Sequence, residues 1–514
     1  MANWCADTDG NSREFDDLQQ QEHESDHTQD DFLEVRPPKP NVHEKAESAP
    51  LAEPKADLRA ERNRRATLDL EAHSIEENIR ILALPLIAER LLQSLVDAAD
   101  MAMVGRVGAA AVTAVGLSNQ LSMVATGFYD AIRVGTTAVV ARRVGAGRFE
   151  DANQTLRQSL LMAAAVGLVA FLVISVFSRA SLTFMGAAPD VIVQGVPYFW
   201  WKGLSLVFEY VTMTFAAALR GSGNTRLPMY VGTVVNILNL GGNYVLIGGN
   251  LGFPRLGAQG AGVATAFARF CGMVMIIVLT VRSSNPLRTF YTSSFRPDMD
   301  TLRSVLRVGL PASGERLVLR GAQILYTRAV AGLGTVAYAA HQIALRIESI
   351  SLTIGFSFGA ASTTLVGQYL GFGDITKAET SVKKSRNIAS VAMAIAGLAL
   401  FVGAPQVVKL FIPDDPDVIR LGSTALRIVA IAQPFMAVNH VLAGGLRGAG
   451  DTAWVMYITG ASAWGVRVVL TYAFVSLLGL HLPGAWYAMV SDLIMRSVLF
   501  QLRFRAGHWK RITV

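Results

Sequence analysis

The chain repeats itself. GSGNTRLPMY at residues 221–230 returns as GAGDTAWVMY at 448–457, and Leu-Arg precedes each copy, as Leu219-Arg220 and Leu446-Arg447. LPLIAERL, with Pro85, Glu89, Arg90 and Leu91, returns as LPASGERL, with Pro311, Glu315, Arg316 and Leu317. Gly108 pairs with Gly334, and Gly145 and Gly147 pair with Gly371 and Gly373. A duplication this long restricts the fold to two similar halves, and in a membrane protein it points to a transporter whose site lies between them.

Hydrophobic residues make up 52% of the chain and charged residues 17%. Apolar runs of about twenty residues separated by short basic segments mark a polytopic helical membrane protein. Cys5 and Cys271 are the two cysteines, one in a polar tail and one in an apolar run, which excludes a disulfide scaffold. The net charge of +7 conceals a split. Residues 1–70 hold 17 acidic against 9 basic side chains, whereas the remainder is strongly basic. That division fits basic cytoplasmic loops beneath an acidic tail rather than a nucleic-acid partner. The tail, 1–72, has few apolar residues and no sustained periodicity, so it is expected to be disordered. It lacks the apolar core of a secretory signal.

Twelve spans are expected, at 79–104, 111–140, 155–178, 191–219, 227–249, 258–282, 303–330, 335–368, 385–411, 418–446, 453–480 and 483–504. The fold class is therefore an all-α polytopic membrane protein with two pseudo-symmetric six-helix lobes. The N-lobe is 73–282, the linker 283–302, the C-lobe 303–507 and the closing tail 508–514. Arg142, Arg143, Arg148, Arg157, Arg282, Arg288, Arg296, Lys377, Lys383 and Lys384 fall on one side, together with Arg503, Arg505, Lys510 and Arg511. The other side has little beyond Arg106, Arg179, Arg255 and Lys409. The positive-inside rule places both termini in the cytoplasm of a plasma-membrane protein. Six spans per half make the halves parallel repeats about an axis along the membrane normal. Gly221, Gly223, Gly448 and Gly450 are expected at helix C-caps, and Gly232, Gly241 and Gly242 at close helix packing.

Charges inside spans are costly and face a partner or a cavity. They include Glu89, Asp97, Asp100, Asp130, Arg133 and Glu209 in the first half. The second half has Glu315, Arg316, Arg320, Arg328, Arg346 and Glu348, with His341 nearby. Glu89 and Glu315 are repeat partners, and each is expected to pair with an arginine or a backbone group. Asp130 and Arg133 are spaced to pair on one helical face. Asp100 lies fifteen residues past Pro85, roughly 22 Å along a helix. Asp97 is one turn before it. A carboxyl so placed is suited to bind and release a proton; the alternative is a helix end in headgroup water.

Asp100-Met-Ala-Met-Val-Gly105, LRGSGNT with LRGAGDT, GTTAVVARRVGAG at 135–147, AAHQIALRIES at 339–349 and STTLVGQYLGFG at 362–373 resemble the multidrug and toxic compound extrusion (MATE) family. The resemblance spans about 75 to 505. It implies two lobes arranged as a V, and export of drugs or metabolites in exchange for protons or sodium ions, with no other cofactor. In the family's DinF-like branch, an Asp fifteen residues after a helix 1 proline corresponds to Asp100. The Asn and Asp four apart in helix 5 correspond to Asn239 and Asn243, the second now an amide. In the NorM-like branch, acids of helices 7 and 10 fall on Arg320 and Met436. Glu209, the repeat partner of Met436, is then a candidate relocated acid. These departures favour proton coupling in the N-lobe through Asp100, Asn239, Asn243 and Glu209. Tyr129, Glu315, Arg320, Gln342 and Glu348 are the candidates for the substrate cavity.

The expected partners are a small-molecule substrate and the lipid bilayer, with the protein acting as a monomer. A lipid-linked precursor flippase and a sodium-coupled exporter are the alternatives. Extra helices and a strongly cationic central cavity would mark the flippase. Enzyme activity is not expected, because no aspartate-rich diphosphate motif, metal-ligand cluster or nucleotide loop is present.

Overall fold

Twelve long helices follow one another in the computed structural model, which describes residues 70, 73–282, 287 and 296–512. No strand interrupts them among the described residues. The acidic tail, apart from Leu70, and most of the linker lie outside the described residues. The first repeat comprises α1 (Ile75–Gly105), α2 (Ala109–Gly145), α3 (Phe149–Phe184), α4 (Pro189–Gly221), α5 (Arg226–Gly248) and α6 (Gly257–Arg282). The second comprises α7 (Met299–Ala331), α8 (Thr335–Phe372), α9 (Ile375–Lys409), α10 (Pro416–Gly448), α11 (Thr452–Leu477) and α12 (His481–Ala506). Two π-helical stretches, Ala463–Val468 and Ala473–Leu477, break the regularity of α11.

The helices are longer than the apolar runs. α3 begins at Phe149 rather than 155, and α9 at Ile375 rather than 385. The extra turns are polar, so hydropathy alone reads them as loop. Local chemistry makes them helical: the Asp374 side chain accepts from the Lys377 amide at 2.7 Å, capping α9. Lys377, Lys383 and Lys384 thus stand on a helical overhang rather than on a connection. α4 and α10 both open on Pro-Asp-Val-Ile, a further repeat pair, with the proline in the first turn, where its missing N–H costs nothing.

The glycine motif divides its work differently from the expectation. Gly223 and Gly450 adopt φ of +93° and +91° after the ends of α4 and α10. Gly221 and Gly448 are instead the last helical residues and permit close approach. A Cβ on Gly221 would press on the Thr137 carbonyl, and one on Gly448 would collide with that of Thr363, its repeat equivalent. Of Gly232, Gly241 and Gly242 in α5, only Gly242 is a tight contact, with a Cβ there 2.9 Å from that of Ala264; Gly241 faces open space.

Seven helices, α3, α5, α6, α8, α9, α10 and α11, hold a stretch long and apolar enough to cross a membrane by length and composition. The other five are 26 to 37 residues long. Their hydropathy is lowered by charged groups that the fold pairs internally, as described below.

The lobes meet along α1, α2, α7 and α8. The first turns of α1 (Ile79, Leu82, Ala83) belong to the C-lobe's apolar core, whereas Val104 near its end packs with Ala111, Tyr198 and Ile247. Where α2 and α8 end, the contact is reciprocal. A Cβ on Gly145 would collide with the Gln368 carbonyl, and one on Gly371 with that of Arg142. The repeat offset carries Gly145 to Gly371 and Arg142 to Gln368, so this contact obeys the pseudo-twofold axis. Gly309 likewise lies against the Ala131 backbone, and Gly135 against Val305. This seam lies at the basic end of the bundle. The chain closes on the same end: Trp509 is buried and stacks on Phe504 at 5.0 Å, while Arg142 donates to the Ile512 carbonyl at 3.0 Å. Residues 508–512 are therefore a docked turn.

Candidate functional site: the N-lobe cavity

Away from that seam, α1, α2, α4, α5 and α6 border an open cavity of about 980 Å³. Asp97 and Asp100 enter it from the far half of α1, Asn119 and Ser122 from α2, and Lys202 and Glu209 from α4. Asn239 and Asn243 of α5, Thr265 and Arg269 of α6, and Arg346 from α8 of the other lobe complete its polar wall. Three carboxylates and three cationic side chains therefore share one space.

Helical spacing explains the arrangement. Asn239 and Asn243 are four apart, so both amides project from one face of α5, Asn243 reaching α1 and Asn239 reaching α6. Asn243 Nδ2 donates to Asp100 Oδ1 at 2.7 Å and approaches Asn239 Oδ1 at 3.4 Å. Asn239 Nδ2 donates to Thr265 Oγ1 at 3.1 Å. Thr265 in turn donates to the Ala261 carbonyl at 2.8 Å. Asn243 is almost fully buried, and its Oδ1 has no protein partner. Its amide can donate to an ionised Asp100, and by rotation it can present a carbonyl to a protonated one. Asp97 sits on the exposed wall and accepts from Gln93 at 2.7 Å. Glu209 lies 3.6 Å from Arg269, so it enters the cavity as half of an ion pair.

The structure thus brings Asp100, Asn239, Asn243 and Glu209 to one cavity. It does not bring the substrate candidates there. Tyr129 is fully buried, stacked on Tyr210 at 4.3 Å and hydrogen-bonded to Thr214 at 3.0 Å, so it belongs to the apolar core. Glu315 is held by Arg447 Nη2 at 2.7 and 2.8 Å, with Thr459 Oγ1 at 3.3 Å. Glu348 is buried inside the C-lobe. Gln342 is exposed and does not line the cavity. Arg320 is exposed at the cavity's edge, its guanidinium 3.8 Å from the sulfur of Met123, which does line it. Met436, at the other NorM-like position, is buried among apolar residues.

The repeated motifs have a shared structural purpose. Arg220 of the first Leu-Arg holds Glu89 at 2.7 Å, and Arg447 of the second holds Glu315 at the same distance. The glutamate after each proline thus meets the arginine before each glycine turn, once per lobe. Asp130 accepts from Arg133 at 2.8 Å, as its spacing implies, and also from Arg316 of the opposite lobe at 2.6 Å. Arg316 is therefore a lobe-to-lobe contact, not a partner of Glu315. Sequence reasoning passed over Lys202 and Arg269 in the cavity, and Arg467, Asp492 and Arg496 in the C-lobe. The available signal was charge inside apolar runs, with Asp492 and Arg496 four apart.

Among the described residues, no group of three or more His, Cys, Asp or Glu could hold a metal ion. A family model described as MatE matches residues 85–245 and, a second time, 311–473. The chain belongs to the MatE family.

The MatE chain is 30% identical over 457 residues to a probable multidrug resistance protein NorM of Thermotoga maritima, covering 86% of this chain and 95% of that one. It is 28% identical to the multidrug resistance protein MdtK of Pectobacterium atrosepticum, over 82% of this chain and 94% of the relative. It superposes on a MATE crystal structure in the bent conformation with a TM-score of 0.78 at 23% identity, covering 84% and 96% of the two chains. A MOP superfamily transporter from Pyrococcus furiosus, whose binding pocket is described as having reverse polarity, gives 0.79 at 23% identity, over 86% and 98%. This MatE protein is a multi-pass membrane transporter, not an enzyme.

Proposed function

We propose that the protein exports amphipathic small molecules across the plasma membrane in exchange for protons, acting as a monomer with both termini in the cytoplasm. Asp100 carries this reading. It is a half-buried carboxyl on the cavity wall, backed by an amide that can hydrogen-bond either of its protonation states. Substrate and proton then compete for one space. Ionised Asp100 favours a cationic group on the substrate, and protonation removes that attraction. Lys202 and Arg346, on the same wall, suit a substrate that also carries an anionic or strongly polar end. Gly145 and Gly371 join the lobes closely at the basic end, so with that end in the cytoplasm we read the arrangement as outward-facing. Rocking of the lobes about their shared seam would expose the cavity alternately to each side.

The hydrogen bond from Asn243 to Asp100, with Asn239 beside Asn243, and the loss of acids at Arg320 and Met436 support the DinF-like branch. The flippase alternative called for helices beyond twelve, and the described residues hold twelve long helices. Sodium coupling is the second reading, supported by the unpartnered Asn243 Oδ1 beside Asp100 and Thr265. Proteoliposomes loaded with a zwitterionic or cationic dye, energised separately by a proton or a sodium gradient, distinguish the two. Export driven by protons alone is expected. Export driven by sodium at uniform pH, and not by protons, would overturn the proposal.

A further inference from the structure

The C-lobe interior holds a second group of polar side chains that the N-lobe cavity does not use. Glu348 of α8 is 3% exposed, and its carboxylate makes no hydrogen bond or ion pair with another described residue. Seven residues earlier on the same face, His341 is fully buried with both ring nitrogens unpartnered. The Tyr326 hydroxyl of α7 and the indole nitrogen of Trp486 of α12 are buried and unpartnered too. The rings of Tyr326 and Trp486 each lie 5.5 Å from that of His341. Buried polar atoms without partners are rare enough in a folded protein that a cluster of them calls for a function.

Repeat symmetry gives the cluster a place. Tyr326 follows Pro311 by fifteen residues, as Asp100 follows Pro85. At the same offset His341 corresponds to Val115 and Glu348 to Ser122. Asp100, Val115 and Ser122 all line the N-lobe cavity. The C-lobe cluster therefore occupies the pseudo-equivalent position, with the carboxyl moved from the first helix of the repeat to the second.

The surrounding charges are accounted for. Arg467, on the first π-helical stretch of α11, is the cation that acts on Glu348. It is engaged by Asp492 at 2.7 Å, and Asp492 is also held by Arg496 at 2.7 Å. On α10 the neighbour is the neutral Gln433, which accepts from Ser351 at 3.1 Å. Arg346 on α8 itself points into the N-lobe cavity. Arg90 of α1 lies over Phe356, two turns further along α8. Among the described residues, then, no cation is committed to Glu348. Irregular π-helical backbone is concentrated at functional sites.

We propose that Glu348, with Tyr326 and Arg467 beside it, is a second proton-binding site, so that each lobe carries one. The step is a proton transfer: hydronium gives its proton to a carboxylate oxygen of Glu348 and leaves as water. Neutral Glu348 then needs no counter-ion. Ionised Glu348 would draw Arg467 from Asp492, which couples its charge to the packing of α11 and α12. Its use in transport rests on the proton-coupled reading above, but its test does not.

The test is infrared difference spectroscopy of the purified full-length protein between acidic and alkaline buffer, following the C=O stretch of protonated carboxyl groups. A titrating band should be present in wild type and Asp100→Asn and lost in Glu348→Gln. Identical spectra of Glu348→Gln and wild type would overturn the proposal. So would a band lost in that variant but constant with pH, which would mark a permanently neutral structural acid. If Glu348→Gln does not fold, Arg467→Gln keeps the carboxyl and removes the cation that acts on it. The midpoint pH of one wild-type band must then shift, and unmoved bands overturn the assignment. Loss of the Asp100 band alone bears on the N-lobe reading and leaves this one intact.

Discussion

Replacing Arg447 with Met should be among the most damaging single substitutions in the C-lobe. The Glu315 side chain is 9% exposed, and two of its three hydrogen bonds come from Arg447 Nη2. Removing the arginine leaves a carboxylate in the membrane interior with only Thr459 at 3.3 Å. Breaking a buried pair in this way costs about 3–5 kcal/mol, because the remaining charge is uncompensated. For a domain of lobe size this is a fall in Tm on the order of 6–20 °C. Adding Glu315→Gln should restore most of it, since the neutral amide no longer carries a charge into the interior. Arg220→Met in the N-lobe should cost less, because Glu89 is 22% exposed. Arg420→Met serves as a control: its pair with Asp417 is exposed, and its loss should scarcely register. The assay is thermal unfolding of purified protein in one detergent, followed by monodispersity. An Arg447→Met variant no less stable than the Arg420→Met control would refute the argument, as would a double variant no more stable than Arg447→Met alone.

Two further outcomes follow from the lobe seam and the cavity. Gly371→Leu should force α2 and α8 apart where Gly371 now lies against the Arg142 backbone. Spin-label distances across the basic end should lengthen, and unchanged distances would count against the seam. Lys202→Met should move substrate preference from zwitterionic towards cationic dyes by on the order of tenfold, the ratio that about 1.4 kcal/mol produces. Competition binding with a matched pair of dyes reads this, and an unchanged ratio would remove Lys202 from substrate recognition.

The sequence was most informative where one residue had one physical reason to be where it is. The duplication gave the two lobes, because an identical pattern must fill an equivalent space. Pro85 and Asp100, fifteen apart on one helix, put the acid in the far half of α1, where the cavity lies, because α-helical rise is constant. The i, i+4 pair Asn239 and Asn243 reached the same site for the same reason. Partners brought together across the fold were harder to read. Nothing near Glu315 in the chain points to Arg447, 132 positions away. Tyr129 looked like a cavity aromatic, yet α4 covers it with Tyr210. Periodicity could place it on α2 but not decide which neighbour that face meets. Helix ends were misjudged for another reason: hydropathy marks where apolar residues stop, whereas Asp374 shows that capping sets where the helix starts.

The account turns on Asp100, and the Asp100→Asn variant tests it most directly. In proteoliposomes two fluxes should be compared: export of labelled substrate driven by a proton gradient, and exchange of labelled for unlabelled substrate without a gradient. The amide still fits beside Asn243 but cannot titrate, so gradient-driven export should be abolished while exchange persists near the wild-type rate. Gradient-driven export at the wild-type rate would contradict the account and shift the coupling role to another acid, with Glu209 first in line.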